Sequence, residues 1–315
     1  MIAGTAGVPP AMSAKRENGF GCPELRSLDG LRFSRVQTLS MRESLNGEAP
    51  NTSMAVETSA LIRRFGDFVA VDNLNLSVAR GSFFGFLGPN GAGKSTTIKM
   101  LTRLLAPTSG RIRVLGRDLS TEPLEVKRRI GVVPEDLNLF ERLTGAEMLS
   151  FTGRMYGLQK AEIAERSPEL LDLMELTGEP KKLIVEYSHG MKKKLSLACA
   201  LIHRPEILFL DEPFEGVDAI ASRTLKDLLS RLTARGLTVF LTSHVLEIVE
   251  RLCSDIAIIA QGKLLASGSL NELRKGIQVD GDSEHTGPIS LEEYFIHIVG
   301  GERSTGEEEV LQWLT

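Results

Sequence analysis

The sequence has few cysteines, no long apolar run and no excess of basic charge. Its three cysteines, Cys22, Cys199 and Cys253, are scattered without any metal-binding or redox spacing, which suits a reducing compartment. No apolar run approaches the roughly 18 residues of a membrane span, and the N-terminus lacks the basic-then-apolar layout of a secretion signal. With 37 basic and 41 acidic residues, the net charge of −4 creates no general attraction for nucleic acid or anionic lipid. We therefore expect a cytoplasmic protein that meets a membrane only through a partner.

A glycine-rich loop stands out in the segment GFLGPNGAGKSTTIKML, residues 85–101. It fits G-x-x-x-x-G-K-[ST] without departure, so its backbone N–H groups can surround a phosphate and its serine hydroxyl can ligate Mg²⁺. An apolar strand pattern precedes the loop and helical spacing follows it, which directs a helix N-terminus at the anion. The segment predicts that the chain binds a nucleoside triphosphate. The predicted phosphate-binding residues are Gly88, Pro89, Asn90, Gly91, Ala92, Gly93, Lys94, Ser95 and Thr96.

Composition and periodicity divide the chain into three parts. Residues 1–54 show no sustained period of 2 or 3.6, and we predict a disordered extension there; an alternative is that the natural protein starts at Met54. Residues 55–276 are predicted to form one α/β domain, in which a helical insertion at about 136–186 precedes apolar strands that alternate with helices. Within the insertion, Thr144 and Glu147 predict a capping box. Residues 277–315 predict a polar linker, a helix at about 290–299 and a tail.

The segment ILFLDEP, residues 207–213, is an apolar strand pattern that ends in two carboxylates, Asp211 and Glu212. A buried strand that brings two carboxylates to a phosphate site is costly unless a cation lies there. Mg²⁺ and an attacking water supply that reason. One carboxylate alone would fit a structural salt bridge, but two in succession, followed by Pro213, favour a functional role.

Four segments, GPNGAGKST, YSHGMKKKL, LFLDEP and TSHVL, stand in the order and spacing found in the ATPase domain of ABC transporters. The chain resembles this family from about Ser59 to about Ser267. The resemblance implies an α/β P-loop NTPase core with a mostly parallel sheet, an N-terminal antiparallel β subdomain and an inserted helical subdomain. It also implies ATP hydrolysis that powers a separate integral membrane permease, with the chain peripheral on the inner face of the cell membrane.

The same resemblance suggests roles for individual side chains. Asp211 resembles the Mg²⁺-associated aspartate, Glu212 the general base and His244 the switch histidine at the γ-phosphate. Phe65 stands where the family places an aromatic ring against adenine, although it also fits the last apolar residue of a strand. The predicted catalytic residues are Glu212, His244, Lys94 and Glu135. The predicted Mg²⁺ ligands are Ser95, Glu135 and Asp211.

The segment YSHGM resembles the family signature and keeps its serine and second glycine, Ser188 and Gly190. In the family the signature reaches the γ-phosphate bound by the other subunit, which implies a homodimer or a pairing with a paralogous ATPase subunit. Two positions depart from the usual signature, His189 and Met191. The lysines that follow, Lys192 to Lys194, are predicted to form a solvated helix face.

Glu135 is a third departure, because the family usually has glutamine at this position. A glutamate oxygen can ligate Mg²⁺, but it cannot donate a hydrogen bond to water unless it is protonated. The sequence therefore keeps open a regulatory nucleotide binder that does not turn over.

Several functions remain to be distinguished at this level. The segment SLEEYFIHIVGG resembles the end of exporter ATPases, and residues 136–160, with Leu139, Phe140 and Leu143, are expected to face the permease. The main alternative is a soluble ABC ATPase acting on ribosomes or nucleic acid. That class usually has two ATPase domains in one chain or a long coiled-coil insertion. This sequence shows neither and its net charge is not basic, so we expect no nucleic acid partner. A small-molecule kinase would leave YSHGM unexplained, and the sequence does not reveal what is transported.

Overall fold

The computed structural model describes residues 54–178, 180–275 and 290–300. Residues 1–53 of the predicted N-terminal extension, the predicted polar linker and the tail after Gly300 lie outside the described residues, whereas Met54 begins the first strand. The strands are β1 Met54–Phe65, β2 Phe68–Ala79, β3 Phe83–Leu87, β4 Ser109–Val114, β5 Arg117–Asp118, β6 Ile130–Val133, β7 Ile207–Asp211, β8 Thr238–Ser243, β9 Asp255–Ala260 and β10 Lys263–Ser269. The helices are α1 Lys94–Leu101, α2 Pro123–Lys127, α3 Gly145–Met155, α4 Lys160–Leu173, α5 His189–Leu201, α6 Ala219–Ala234, α7 Leu246–Leu252, α8 Leu270–Lys275 and α9 Leu291–Gly300.

The described strands form two β-sheets, one of four strands and one of six. The first is antiparallel and has the order β2-β1-β4-β5. The second has the order β10-β9-β3-β8-β7-β6, in which β9 to β6 run parallel and β10 pairs antiparallel at the edge. All five residues of β3 and of β7 are buried, as expected for parallel strands covered on both faces. The predicted α/β architecture, with its parallel core and antiparallel subdomain, is confirmed.

An aromatic cluster covers one face of the central strands. The ring centroid of Phe240 lies 5.4 Å from that of Phe84 and 5.5 Å from those of Phe86 and Phe209. All four side chains are almost fully buried. Tilted or offset ring pairs at such distances stabilise a core beyond the area they bury. This cluster fixes β3, β7 and β8 relative to one another.

The register of the parallel strands determines where the functional loops meet. Leu87 of β3 lies opposite Ser243 of β8, and Asp211 of β7 lies opposite Thr242 of β8. The carboxyl ends of neighbouring parallel strands therefore form one edge, which is where ligands bind in open α/β sheets. The glycine-rich loop, the carboxylate pair, Glu135 and His244 all follow strands that end at this edge.

The inserted helices α3 and α4 pack against each other and against α5, which in turn contacts the edge strand β6. The predicted capping box is confirmed, because Thr144 accepts a hydrogen bond from the Glu147 N–H while the Glu147 carboxylate accepts one from the Thr144 N–H. Gly153 of α3 allows close packing, since a Cβ there would lie 2.8 Å from the Ile163 side chain of α4. Among the described residues, no helix is long and apolar enough to cross a membrane.

Candidate functional site

The glycine-rich loop joins β3 to α1 and curls tightly around its own lysine. Gly93 has a φ of +106°, and a Cβ at this position would lie 2.5 Å from the Ala70 carbonyl oxygen, so only glycine fits. The Thr97 N–H donates to the Gly93 carbonyl at 2.9 Å, which begins α1 directly after the loop. The N–H groups of the first turn, before Thr97, therefore have no helical partner and can meet an anion.

Lys94 is nearly buried at the base of the loop. Its Nζ donates to the carbonyl oxygens of Gly88 at 2.8 Å and Pro89 at 3.2 Å. These two bonds hold the ammonium group against the loop, and it also lies 3.7 Å from the Glu212 Oε1 atom. A compact positive charge fixed in this way is suited to phosphate oxygens.

Oxygen ligands suitable for a divalent cation converge beside the loop. The Ser95 hydroxyl lies 3.3 Å from the Asp211 Oδ1 atom and 3.5 Å from the Glu135 Oε2 atom. Asp211 is 3% exposed, and its Oδ1 atom also accepts a bond of 2.6 Å from the Thr242 hydroxyl. The three predicted Mg²⁺ ligands thus lie together. Among the described residues, no cluster of three or more His, Cys, Asp and Glu side chains that could hold a metal ion is found.

Glu212 is held at both its side chain and its backbone. Its carboxylate lies 3.1 Å from the His244 Nδ1 atom, opposite the contact with Lys94. Its N–H donates to the Thr242 hydroxyl at 3.1 Å, and its carbonyl accepts a bond of 2.8 Å from the Lys193 Nζ atom. The backbone adopts a φ of +46°, a left-handed conformation that costs a non-glycine residue roughly 1–2 kcal/mol. The neighbouring groups therefore fix an unfavourable backbone that turns the carboxylate toward Lys94.

The lysines after the signature do not form the solvated face that the sequence predicted. Lys193 and Lys194 are buried, and only Lys192 keeps a partly exposed side chain. Lys193 bonds the Glu212 carbonyl, while Lys194 bonds the Glu175 carboxylate at 2.6 Å. The prediction is wrong because α5 packs under the sheet edge, where each buried ammonium group finds an oxygen partner.

An open cavity of about 450 Å³ lies above the loop. Its lining residues are Phe68, Ala70, Asn90, Gly91, Gly93, Lys94, Ser95, Thr96, Glu135, Glu212, Glu215 and His244. Most of the predicted loop residues and catalytic residues are among them. Gly88 and Pro89 do not line the cavity, but their carbonyl oxygens accept hydrogen bonds from Lys94. Ala92 donates its N–H to the Pro89 carbonyl and accepts a bond from the Gly262 N–H.

Phe65 does not line this cavity, whereas Phe68 does. The two residues pair across the two-residue turn between β1 and β2. The Arg63 guanidinium lies 4.3 Å from the Phe65 ring centroid, and the ring is about half exposed. Phe65 therefore lies at the end of the hairpin beside the aromatic residue that reaches the cavity, and its predicted contact with adenine remains a prediction.

Ser188 and Gly190 lie at the start of α5, away from the lining of the cavity. Ser188 is exposed, and its hydroxyl caps the helix by accepting a hydrogen bond of 3.2 Å from the Met191 N–H. Asp218 caps the neighbouring helix α6 through the N–H groups of Ala221 and Ile220, and the bond from Ala221 is the first of the causes that lower the pKa of Asp218. The signature thus presents an exposed helix N-terminus rather than a part of its own cavity.

Sequence reasoning missed Thr242, Lys193, Phe68 and Glu215. Thr242 stands two residues before His244 at the end of β8, and that position next to the carboxylate strand was a usable signal. Phe68 begins the strand after the turn, so the alternation of the hairpin could have indicated it. Lys193 bonds a backbone carbonyl, for which no side-chain pattern provides a signal.

A family model and the relatives found for this chain both refer to the ATP-binding proteins of transporters. Residues 71–215 match the family described as ABC transporter. The chain is 41% identical over 223 residues to the daunorubicin/doxorubicin resistance ATP-binding protein of Streptomyces peucetius. That match covers 71% of this chain and 68% of the relative. It is 41% identical over 209 residues to the Nod factor export ATP-binding protein I of Cupriavidus metallidurans. This second match covers 66% of this chain and 69% of the relative.

A solved structure described as the ATP-binding subunit of an ABC transporter has the same fold. It superposes with a TM-score of 0.71 at 31% sequence identity, and the match covers 78% of this chain and 99% of the other. The similarity therefore extends over most of this chain and nearly all of the other.

Proposed function

This chain belongs to the ATP-binding subunits of ABC transporters, and from that membership we propose that it hydrolyses ATP at the described cavity to drive export through a separate permease. Membership makes it an ATP-binding protein and an ATPase of this family. One observation carries the assignment of the site: the Glu212 carboxylate lies between Lys94 and His244 at the cavity beside the phosphate loop.

The chemistry follows from the positions of these side chains. The first-turn N–H groups of α1 and the Lys94 ammonium bind the β- and γ-phosphates of ATP and stabilise the charge that develops there. Glu212 accepts a proton from the water whose oxygen forms the new bond to the γ-phosphorus, while the bond to the ADP oxygen breaks. His244 orients the Glu212 carboxylate at 3.1 Å and meets the same phosphate. The products are ADP and inorganic phosphate.

Ser95, Glu135 and Asp211 would hold Mg²⁺, because their oxygens converge beside the loop. When bound, the ion neutralises charge on the phosphate oxygens. Thr242 fixes the Asp211 carboxylate through a bond of 2.6 Å. The carboxylate of Glu135 can contact the ion but, when ionised, cannot donate a hydrogen bond to water, so orientation of the water is left mainly to Glu212.

The site is tested by two substitutions in the purified full chain. Glu212→Gln should retain ATP binding, measured with a fluorescent ATP analogue, and lower turnover by roughly 10²–10⁴-fold, the usual contribution of a positioned base. Lys94→Ala should instead weaken nucleotide binding, because it removes the charge fixed by Gly88 and Pro89. Unchanged turnover in Glu212→Gln would refute the role assigned to Glu212.

We propose that two ATPase subunits act as a head-to-tail pair, either two copies of this chain or this chain with a paralogue. The exposed N-terminus of α5, capped by Ser188, supports this arrangement, since its N–H groups and dipole favour an anion that its own cavity does not supply. A mixture of Ser188→Arg and Lys94→Ala chains should recover turnover that each lacks alone, because one composite site stays intact. Failure to recover turnover in verified mixed dimers would count against the pairing.

The helical insertion, together with the segment that leads into α3, offers an apolar surface for the permease. Phe140, Phe151 and Met155 are 53%, 41% and 72% exposed, and the rings of Phe140 and Phe151 pack edge to face at 5.0 Å. An exposed cluster of this kind usually marks an interaction site. The names of the relatives, which refer to drug resistance and Nod factor export, support export, and the chain would then lie in the cytoplasm at the inner face of the membrane.

Recovery of the partner from native membranes tests this surface. Tagged Glu212→Gln in Mg-ATP should recover a polytopic membrane protein, identified by mass spectrometry, and Phe140→Glu in the same background should lose it. Leu124→Glu is the matched control, because Leu124 is 69% exposed on α2, outside the insertion. Recovery of ribosomes or of a nucleic acid complex without a membrane protein would overturn the transport proposal.

A further inference from the structure

We propose that Lys193 is a positioning residue for ATP hydrolysis, because its ammonium group holds the backbone carbonyl of Glu212 from the signature helix of the same chain. This inference rests on the proposed role of Glu212 as the general base. It assigns a function to a lysine inside α5 that does not line the nucleotide cavity.

The contact is specific and buried. Lys193 is 3% exposed, and its Nζ lies 2.8 Å from the Glu212 carbonyl oxygen across 19 positions of sequence. Lys193 lines a small, mainly apolar pocket together with Val133, Leu197 and Phe214. An apolar wall on the stem and one oxygen at the tip leave the ammonium group little freedom to turn elsewhere.

Charge as well as geometry favours this position for a lysine. Burial lowers the pKa of Lys193, while the carboxylates of Glu215, Glu135, Asp211 and Glu212 act in the opposite direction. A charged donor near four carboxylates strengthens the bond to the carbonyl, because charge-assisted hydrogen bonds are the stronger kind. An uncharged side chain of similar length would lose the attraction of the four carboxylates and the charge-assisted hydrogen bond.

The backbone of Glu212 needs such a partner. Its φ of +46° places the peptide in a region that glutamate rarely adopts. Thr242 holds the N–H side of the residue from β8, and Lys193 holds the carbonyl side from α5. Release of the carbonyl would let the backbone relax, and the carboxylate would move relative to Lys94 and His244. The effect should therefore appear in turnover and not in nucleotide binding.

Lys193→Met tests this role, because methionine keeps the apolar stem and removes the ammonium group. We expect kcat to fall by roughly tenfold or more, as for other displaced catalytic groups, with the KM for ATP and the affinity for a fluorescent ATP analogue within about twofold of the wild type. Lys194→Met is the matched control, since Lys194 is buried on the same helix but bonds Glu175, and its kcat should stay near the wild-type value. Lys193→Arg, which keeps a charged donor, should retain more turnover than Lys193→Met.

A double mutant separates positioning from a structural role. In the Glu212→Gln background, Lys193→Met should change the residual turnover by less than about twofold, because the group it positions is already lost. An equal loss in both backgrounds would show that Lys193 acts elsewhere and would overturn the proposal. If Lys193→Met does not unfold cooperatively, Lys193→Gln replaces it, since the shorter amide cannot reach the carbonyl; wild-type kcat in that variant would also overturn the proposal.

The two substitutions separate a wrongly assigned base from a base that does not depend on Lys193. If Glu212→Gln retains wild-type turnover, the general base has been assigned wrongly, whatever Lys193 does. If Glu212→Gln is inactive and Lys193→Met is fully active, the base stands and only the positioning role fails.

Discussion

A largely buried histidine should make the folded chain sensitive to mild acid. His203 stacks on Tyr156 with ring centroids 3.6 Å apart and planes 5° from parallel. Its Nε2 atom lies 2.9 Å from the Ile130 carbonyl oxygen, and its Nδ1 atom is buried without a hydrogen-bond partner among the described residues. Burial lowers the pKa of His203 from 6.5 to about 4, and the charge of Arg166 acts in the same direction. The ring is therefore neutral in the folded protein at neutral pH.

The loss of stability follows from the difference between the folded and unfolded pKa values. An unfolded chain binds the proton near pH 6.5, whereas the folded chain resists it until about pH 4. Below pH 6.5 the unfolded state therefore binds more protons, and the free energy of unfolding falls as the pH falls. The His203 contribution to this loss is about 2 kcal/mol at pH 5 and about 3 kcal/mol at pH 4. Above pH 7 it is negligible.

Urea unfolding at pH 7.5 and pH 5 measures this contribution. His203→Phe preserves the stack on Tyr156 and removes the titrating group, while all other ionisable groups are shared with the wild type. The wild type should lose about 2 kcal/mol more than His203→Phe between the two pH values. His297→Phe, which removes an exposed histidine of α9, is the matched control and should follow the wild type. A wild type and His203→Phe that lose the same free energy would refute the reasoning.

Two further substitutions test the core and the site. Phe240→Ala should lower the free energy of unfolding by about 3–5 kcal/mol, because it removes the ring that contacts three other phenylalanines; a loss below about 1 kcal/mol in urea unfolding would contradict this packing. Thr242→Val should cost about 1–3 kcal/mol, because the buried Glu212 N–H loses its acceptor, and turnover should fall as Asp211 loses its hydroxyl donor. Thermal unfolding and steady-state ATPase assays check both effects, and an unchanged kcat would show that Thr242 does not position the carboxylates.

The parts of the site that lie at strand ends could be predicted from the sequence. Apolar runs indicated parallel strands, and parallel strands bring their carboxyl ends to one edge. The loop, Asp211, Glu212 and His244 each follow such a run directly, so the sequence placed them in one region. Local patterns sufficed because each of these residues depends on its own strand for its position.

Residues positioned by tertiary packing could not be predicted in this way. The three consecutive lysines of α5 have the composition of a solvated face, yet the helix enters the core and buries two of them. Which ring of the β1–β2 hairpin reaches the cavity also depends on the twist of the sheet, and the pattern of alternation in one strand does not give it. Composition describes a helix or hairpin surface, but only packing decides what covers it.

The left-handed backbone of Glu212 explains why two residues outside the motif matter to it. The conformation costs roughly 1–2 kcal/mol, and one hydrogen bond contributes about 0.5–1.5 kcal/mol, or more when a charged group takes part. The bonds to Thr242 and Lys193 together can therefore offset the strain, whereas the neutral bond to Thr242 alone leaves little margin. Because these bonds come from β8 and α5, the direction of the Glu212 carboxylate depends on the packing of both elements against β7. A displacement of α5 would then change hydrolysis without altering any group that touches ATP in this chain.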